Sequence, residues 1–305
     1  MSLRLGSSSN PTKSRENRPS KTMKKKVFFV FEGAETEKIY FEKIKNIIEN
    51  STEPQIPELY IFDRILKNRS HQLYVTKNIE EFLKTGLFFK EKNGLDSLKV
   101  LLDKFEEEDD FSYDDLIDQL RDTFKEFPKI LESISKSNKI VEISDQIDAL
   151  NSISTYKKDF DNVCIIIDRD KHSFIEEQLA TVVKICKENN FLLGLTNPCF
   201  EFYLLLHLSD CSGYTVKDLV ENEKTGSKTL AEAILNSEYK KINKNISYKK
   251  NSYDTDLFLS RLEKLYHNCS EFPIDLDDLD SKSGSLIPGM LDNLGIKDVI
   301  IEHYK

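Results

Sequence analysis

Val27-Phe28-Phe29-Val30-Phe31 runs directly into Glu32-Gly33-Ala34-Glu35-Thr36-Glu37, and Val163-Cys164-Ile165-Ile166-Ile167 runs into Asp168-Arg169-Asp170. Each unbroken apolar run reads as a strand buried on both faces, the pattern of a parallel sheet. In such a sheet, ligands and catalytic groups gather at the carboxyl ends of the strands. Both acidic motifs therefore point at one rim, although far apart in the chain. Donors that are all oxygen suggest a hard divalent cation, and with it phosphate chemistry.

Outward from these runs, the chain alternates strand and helix. Tyr40, Phe41, Ile44, Ile47 and Ile48 give an apolar stripe that predicts a helix over 37–50. Pro54 and Pro57 precede a short strand at 59–62. Residues 64–158 read as an insertion of acidic amphipathic helices, with stripes at Leu98, Leu101, Leu102 and Phe105 and at Leu116, Ile117, Leu120 and Phe124. After the strand at 163–167, a helix near 173–189, a strand at 191–195 and a helix at 199–208 are expected. Helices are expected again at 215–220, 229–236, 254–269 and 286–294. The alternation implies parallel pairing, hence an α/β fold. The parts are a basic tail (1–23), read as disordered, a sheet core (24–63 and 159–208), the insertion (64–158) and a helical C-terminal region (209–305).

The 305 residues are 39% hydrophobic and 32% charged, with a net charge of −9. Residues 1–26 carry eight basic residues against one acid; residues 103–126 carry eleven acids against three bases. Such runs read first as solvated surface, though the tail suits phosphates and the acidic helices suit a protein partner. Overall acidity argues against a dedicated sequence reader, not against an enzyme with metal ions and local lysines. The longest apolar run, 202–206, is far short of a membrane span, and the start has no secretory h-region. Five cysteines without a CxxC pair make a poor disulfide framework. These features favour the cytoplasm.

If the strand continues through them, Asp168 and Asp170 fall on the same face. Two carboxylates ~4 Å apart repel by about 4 kcal/mol at an effective dielectric near 20. A site holding both, plus Glu32, requires a cation or a proton among them. Arg169, lying between them, offers the plainer reading of a surface Arg–Asp pair. Gly33 can take positive φ and let a ligand approach. Thr36 reads as a helix N-cap, and Glu35 and Glu37 suit a first helical turn without further purpose. Glu37 lies near enough to the rim for a second metal role. Glu201, after the strand at 191–195, reads as an outer neighbour of the metal or as a helix cap.

Cys199 has no base placed by sequence to activate it. His71, His172, His207, His267 and His303 show no zinc spacing. His172 reads as a loop histidine and His207 as a satisfied structural one. Thr225-Gly226-Ser227-Lys228-Thr229 lacks the order of a phosphate-binding loop, and 275–280 lacks the ligands of a calcium loop. Lys240, Lys241, Lys244, Lys249 and Lys250 with Tyr239 and Tyr248 form the best basic-aromatic cluster, read by default as a solvated face.

Three segments, Phe31–Phe41, Ile167–Asp170 and Asn197–His207, resemble in content and order the Toprim fold of primases, topoisomerases and overcoming-lysogenization-defect nucleases. More closely they resemble the RloB-like family of bacterial proteins, with Lys249-Lys250 a weaker match. The resemblance implies a Toprim, Rossmann-like core in which Glu32 is general acid or base and Asp168 and Asp170 hold magnesium (or manganese). Glu37 would serve a second ion, with Gly33, Glu201 and Arg169 in support and Lys249 and Lys250 toward nucleic acid. It implies a nuclease acting on DNA or RNA, in antiphage defence or a restriction-associated locus. Two other readings stand beside it. One is a non-catalytic module binding nucleic acid or protein. The other is a haloacid-dehalogenase-like phosphatase, with Asp168 as nucleophile, Asp170 as acid and Thr196 on the phosphate.

Overall fold

In the computed structural model, residues 24–305 are described, apart from 34, 54, 63–70, 92–93, 108–111, 128–146, 148–149, 245, 274 and 280. The expected tail therefore lies outside the described residues, as does part of the acidic insertion.

Five strands form the main sheet: β1 (Lys26–Phe31), β2 (Glu58–Phe62), β3 (Asn162–Asp168), β4 (Leu192–Asn197) and β7 (Gly284–Ser285), in the order β2-β1-β3-β4-β7. The first four are parallel and β7 is antiparallel to β4. From β1 the chain moves outward to β2 and then returns to the other side of β1 at β3. The order thus reverses between β1 and β3, which splays their connections and opens a crevice at their carboxyl ends.

The double-sided burial expected of β1 is present. Val27, Phe29 and Phe31 join one core with α1 (Thr36–Glu49), while Phe28 and Val30 join another on the opposite face. The predicted stripe of α1, Tyr40 through Ile48, lies entirely in the first core. Each fully buried phenyl contributes roughly 2 kcal/mol or more.

The inserted helices α2 (Gln72–Glu91), α3 (Gly94–Glu107) and α4 (Tyr113–Thr123) cover the second face with α5 (Glu176–Asn189). Leu98, Leu101, Leu102, Leu116, Ile117, Leu120 and Phe124 are buried there alongside sheet residues, so the insertion shares the core of the sheet.

The first face is completed by α6 (Phe200–Leu206), α7 (Val216–Glu221), a hairpin of β5 (Lys224–Thr225) and β6 (Lys228–Thr229), and α8 (Leu230–Ile242). Beyond these come α9 (Thr255–Leu259), α10 (Leu262–Cys269), α11 (Leu276–Leu279), α12 (Ile287–Asn293) and α13 (Lys297–His303). The helix expected over 254–269 is thus two, divided at Ser260-Arg261. β7 and α13 carry no strong periodic signal, and β7 exists only through its pairing with β4. The glycine-containing stretch at 225–229 forms the tight hairpin, with Gly226 at φ 70°.

Within α6 every residue is buried. Tyr203 donates its hydroxyl to Tyr40, and Tyr40 donates to His207 Nε2, at 2.9 and 3.0 Å. This direction follows because His207 Nδ1 faces the Tyr203 carbonyl at 3.1 Å and must carry the ring proton there. The structural reading of His207 holds.

Candidate active site

β3 ends at Asp168, at the reversal of strand order, and the preceding strand end on β1 leads into Glu32. Glu32 Oε2 accepts the Asp168 amide at 3.1 Å, and Asp168 Oδ1 accepts the Phe200 amide at 2.8 Å. The chain segments that follow β1, β3 and β4 therefore meet at Asp168. Burial first, and then the charges of Glu32, Glu37 and Glu201, push the Asp168 carboxyl well above the usual carboxylate range. The acids that converge are thus Glu32, Glu37, Asp168 and Glu201. Glu37 and Glu201 are 5% and 4% exposed, unusual for carboxylates.

Asp170 stands differently. The strand stops before it, its amide donates to the Pro198 carbonyl, and its carboxylate accepts from Ser173 Oγ at 2.7 Å and the His172 amide at 3.3 Å. The same-face geometry expected of the pair is replaced by a turn, although both line one cleft. Arg169 is not a surface partner either. Only 4% exposed, it donates to the Phe174 carbonyl and lies over the Phe174 ring.

Two further expectations are corrected. Thr36 is the first residue of α1, not its cap, and its hydroxyl donates to the Lys250 carbonyl at 3.2 Å. Positive φ is confined, among the described glycines, to Gly226 and Gly295. Gly33 is required for another reason: a Cβ there would overlap the Glu37 carboxylate. Since that carboxylate ends a flexible side chain, Gly33→Ala should leave the fold intact while displacing Glu37. The expected result is a melting temperature within about 2 °C of wild type, with about tenfold loss of the cleavage proposed below. Unaltered turnover would mean that the position of Glu37 is immaterial.

The basic-aromatic cluster also divides. Tyr239 and Tyr248 are buried, Lys240 is half-buried, and Lys241, Lys244 and Lys249 are exposed. Lys250 alone enters the site, its Nζ 2.8 Å from Glu201 and 3.8 Å from Glu232 on α8. Burial opposes its charge, but Glu201 more than offsets this and holds the ammonium above its usual pKa. The 248–253 loop is tied down by Tyr253, whose hydroxyl donates to the Thr36 carbonyl at 2.6 Å. Tyr248 in the same loop is buried, 2% exposed. Glu232 and Tyr253 were missed from sequence; only the Lys249-Lys250 match hinted that the loop reaches the rim.

A cleft of about 600 Å³ opens beside the acids, lined by Asp168, Asp170, Glu201, His172 and the lysines 171, 224 and 250. Cys199 also lines it, but burial and the charges of Glu201 and Asp168 push its thiol far up, as suits an inert residue. Thr196 is spent within the sheet, its hydroxyl pairing with Ser285 Oγ at 2.8 Å; a haloacid-dehalogenase-like phosphatase also needs an acid pair at a later strand end, and Asp277-Asp278 lie on α11 instead. Both observations weigh against the phosphatase reading.

The donor set suits a hard cation in kind: carboxylates crowded enough to disfavour ionisation of Asp168, with no imidazole among them. Among the described residues, however, no three acidic, histidine or cysteine side chains already form a ligand cluster. Glu201 is held by Lys250, and Glu32 and Asp168 by backbone amides. No described helix is long and apolar enough to cross a membrane.

A family model described as RloB-like protein matches residues 27–278. No curated protein and no solved structure matches the chain. The chain belongs to the RloB-like family.

Proposed function

We propose that this member of the RloB-like family is a divalent-cation-dependent nuclease that hydrolyses nucleic-acid phosphodiesters. The observation that carries the reading is the meeting of Glu32, Glu37, Asp168 and Glu201 at the reversal point of the sheet, beside a cleft with lysines on its walls. Asp168 and Glu37 would hold magnesium or manganese, with Asp170 at the mouth and Glu201 as a further oxygen donor. When bound, the cation supplies charge neutralisation at the phosphate and lowers the pKa of the attacking water. Glu32 exchanges the proton, taking it from water or returning it to the leaving oxygen. The Phe200 amide orients Asp168, and Lys171, Lys224 and Lys250 attract the polyanion. A Toprim-type core and a role in phage defence are what the family resemblance adds.

The test is incubation of the purified chain with single- and double-stranded DNA and with RNA, including tRNA, plus magnesium or manganese. Glu32→Gln keeps an acceptor for the Asp168 amide while removing the base, so cleavage should fall by about 10²-fold or more with little change in melting. Unchanged cleavage would remove Glu32 from the chemistry.

A non-catalytic module is favoured by one observation, the engagement of each acid by a protein partner. Calorimetry without any magnesium or manganese heat, together with a stable nucleic-acid or protein complex, would establish it instead.

A further inference from the structure

The ion pair between Lys250 and Glu201 is asymmetric. The Glu201 side chain is 6% exposed, whereas that of Lys250 is 53% exposed. The ammonium reaches in from solvent to a carboxylate that cannot follow it out. Its backbone is fixed, because the Lys250 carbonyl is held by Thr36 and Thr36 by Tyr253. Movement is therefore left to the side chain alone. A second acid, Glu232, already lies 3.8 Å from the ammonium and offers it an alternative partner.

We propose that Lys250 is a tethered stand-in for the metal, neutralising Glu201 when no cation is bound and releasing that carboxylate when one enters. The inference rests on the metal reading above and assigns a regulatory step to the same site. A buried carboxylate that stays ionised is stabilised by a positive partner within reach. One ammonium on a flexible stem can serve without competing as strongly as a guanidinium fork would. Released toward Glu232 and the cleft, the ammonium stands where a phosphate would arrive. Polyanion and cation should then favour one another's binding, since each draws Lys250 away from Glu201. The protein alone would hold its cation weakly and load fully on substrate.

The test is calorimetric titration of the full chain with manganese. Lys250→Met should bind about tenfold tighter than wild type, whereas Lys224→Met, which removes a cleft charge but leaves the Glu201 pair, should change affinity less than about threefold. The gain should vanish in the Glu201→Gln background, because the competed carboxylate is gone. Should Lys250→Met fail to fold, Lys250→Arg provides the opposite arm, with binding expected to be weaker than wild type by about threefold or more. Affinity unchanged or reduced in Lys250→Met, or unaltered in Lys250→Arg, would overturn the proposal. Absence of manganese binding in wild type and every variant would instead overturn the metal reading itself.

Discussion

Replacing Asp168 by asparagine should reduce cation-dependent cleavage by about 10³-fold or more, while the metal-free protein melts higher than wild type. The two effects have one cause. Asparagine retains an oxygen for the Phe200 amide but carries no charge among Glu32, Glu37 and Glu201. Because burial and those charges raise the folded pKa of Asp168 above 3.8, the folded state binds its proton more readily than the unfolded chain does. The stabilisation from that proton is fully present below 3.8 and is lost as pH rises through the raised folded value. As pH rises toward neutral, Asp168 therefore becomes a burden on the empty fold. Because the group is half-buried and partly screened, relief is expected to be modest, about 1 kcal/mol or ~2 °C. Melting in a chelator should show the difference between variant and wild type shrinking as pH falls. A variant that melts below wild type at pH about 7.5 would contradict the charge crowding.

The largest effect on stability should come from His207. Burial holds its imidazole down to about 3, from an ordinary 6.5. Here the sign is opposite to that of Asp168. Between those values the unfolded chain carries the extra proton, so the contribution is fully present above 6.5 and drains away as pH falls toward 3. The slope approaches 1.4 kcal/mol per pH unit, so about 2 kcal/mol is lost by pH ~5. The hydrogen-bond chain explains why the ring cannot simply accept the proton in place. Nε2 is occupied as acceptor by the Tyr40 hydroxyl, and protonating it would set two donors face to face. Urea denaturation across pH 5 to 7.5 should show this slope in wild type and its loss in His207→Gln, which is less stable at neutral pH but less sensitive to acid. Equal slopes in both proteins would mean that the imidazole is not held neutral.

Much of the scaffold was legible before any coordinates. β1, β3 and the stripe of α1 follow from local pattern alone, because a doubly covered strand must be apolar throughout and a half-covered helix must repeat near 3.6 residues. The helical stripes at 98–102 and 116–124 were read correctly for the same reason. The ends of elements were less secure. β4 runs on to Asn197, and the helix expected over 254–269 breaks, because such boundaries answer to tertiary partners such as β7 rather than to periodicity.

The amino-acid order by itself determined the covered parallel sheet and the acids at two of its strand ends, since these depend on residue type and short spacing. Only the tertiary structure decided which acids face one another. It set Glu201 beside Asp168, turned Asp170 into a loop, buried Arg169, and brought Lys250 from 49 residues beyond Glu201 to meet it. Those outcomes turn on where a strand stops and how a distant loop is pinned. They are set by long-range packing and hydrogen bonds, which leave no periodic trace in the chain.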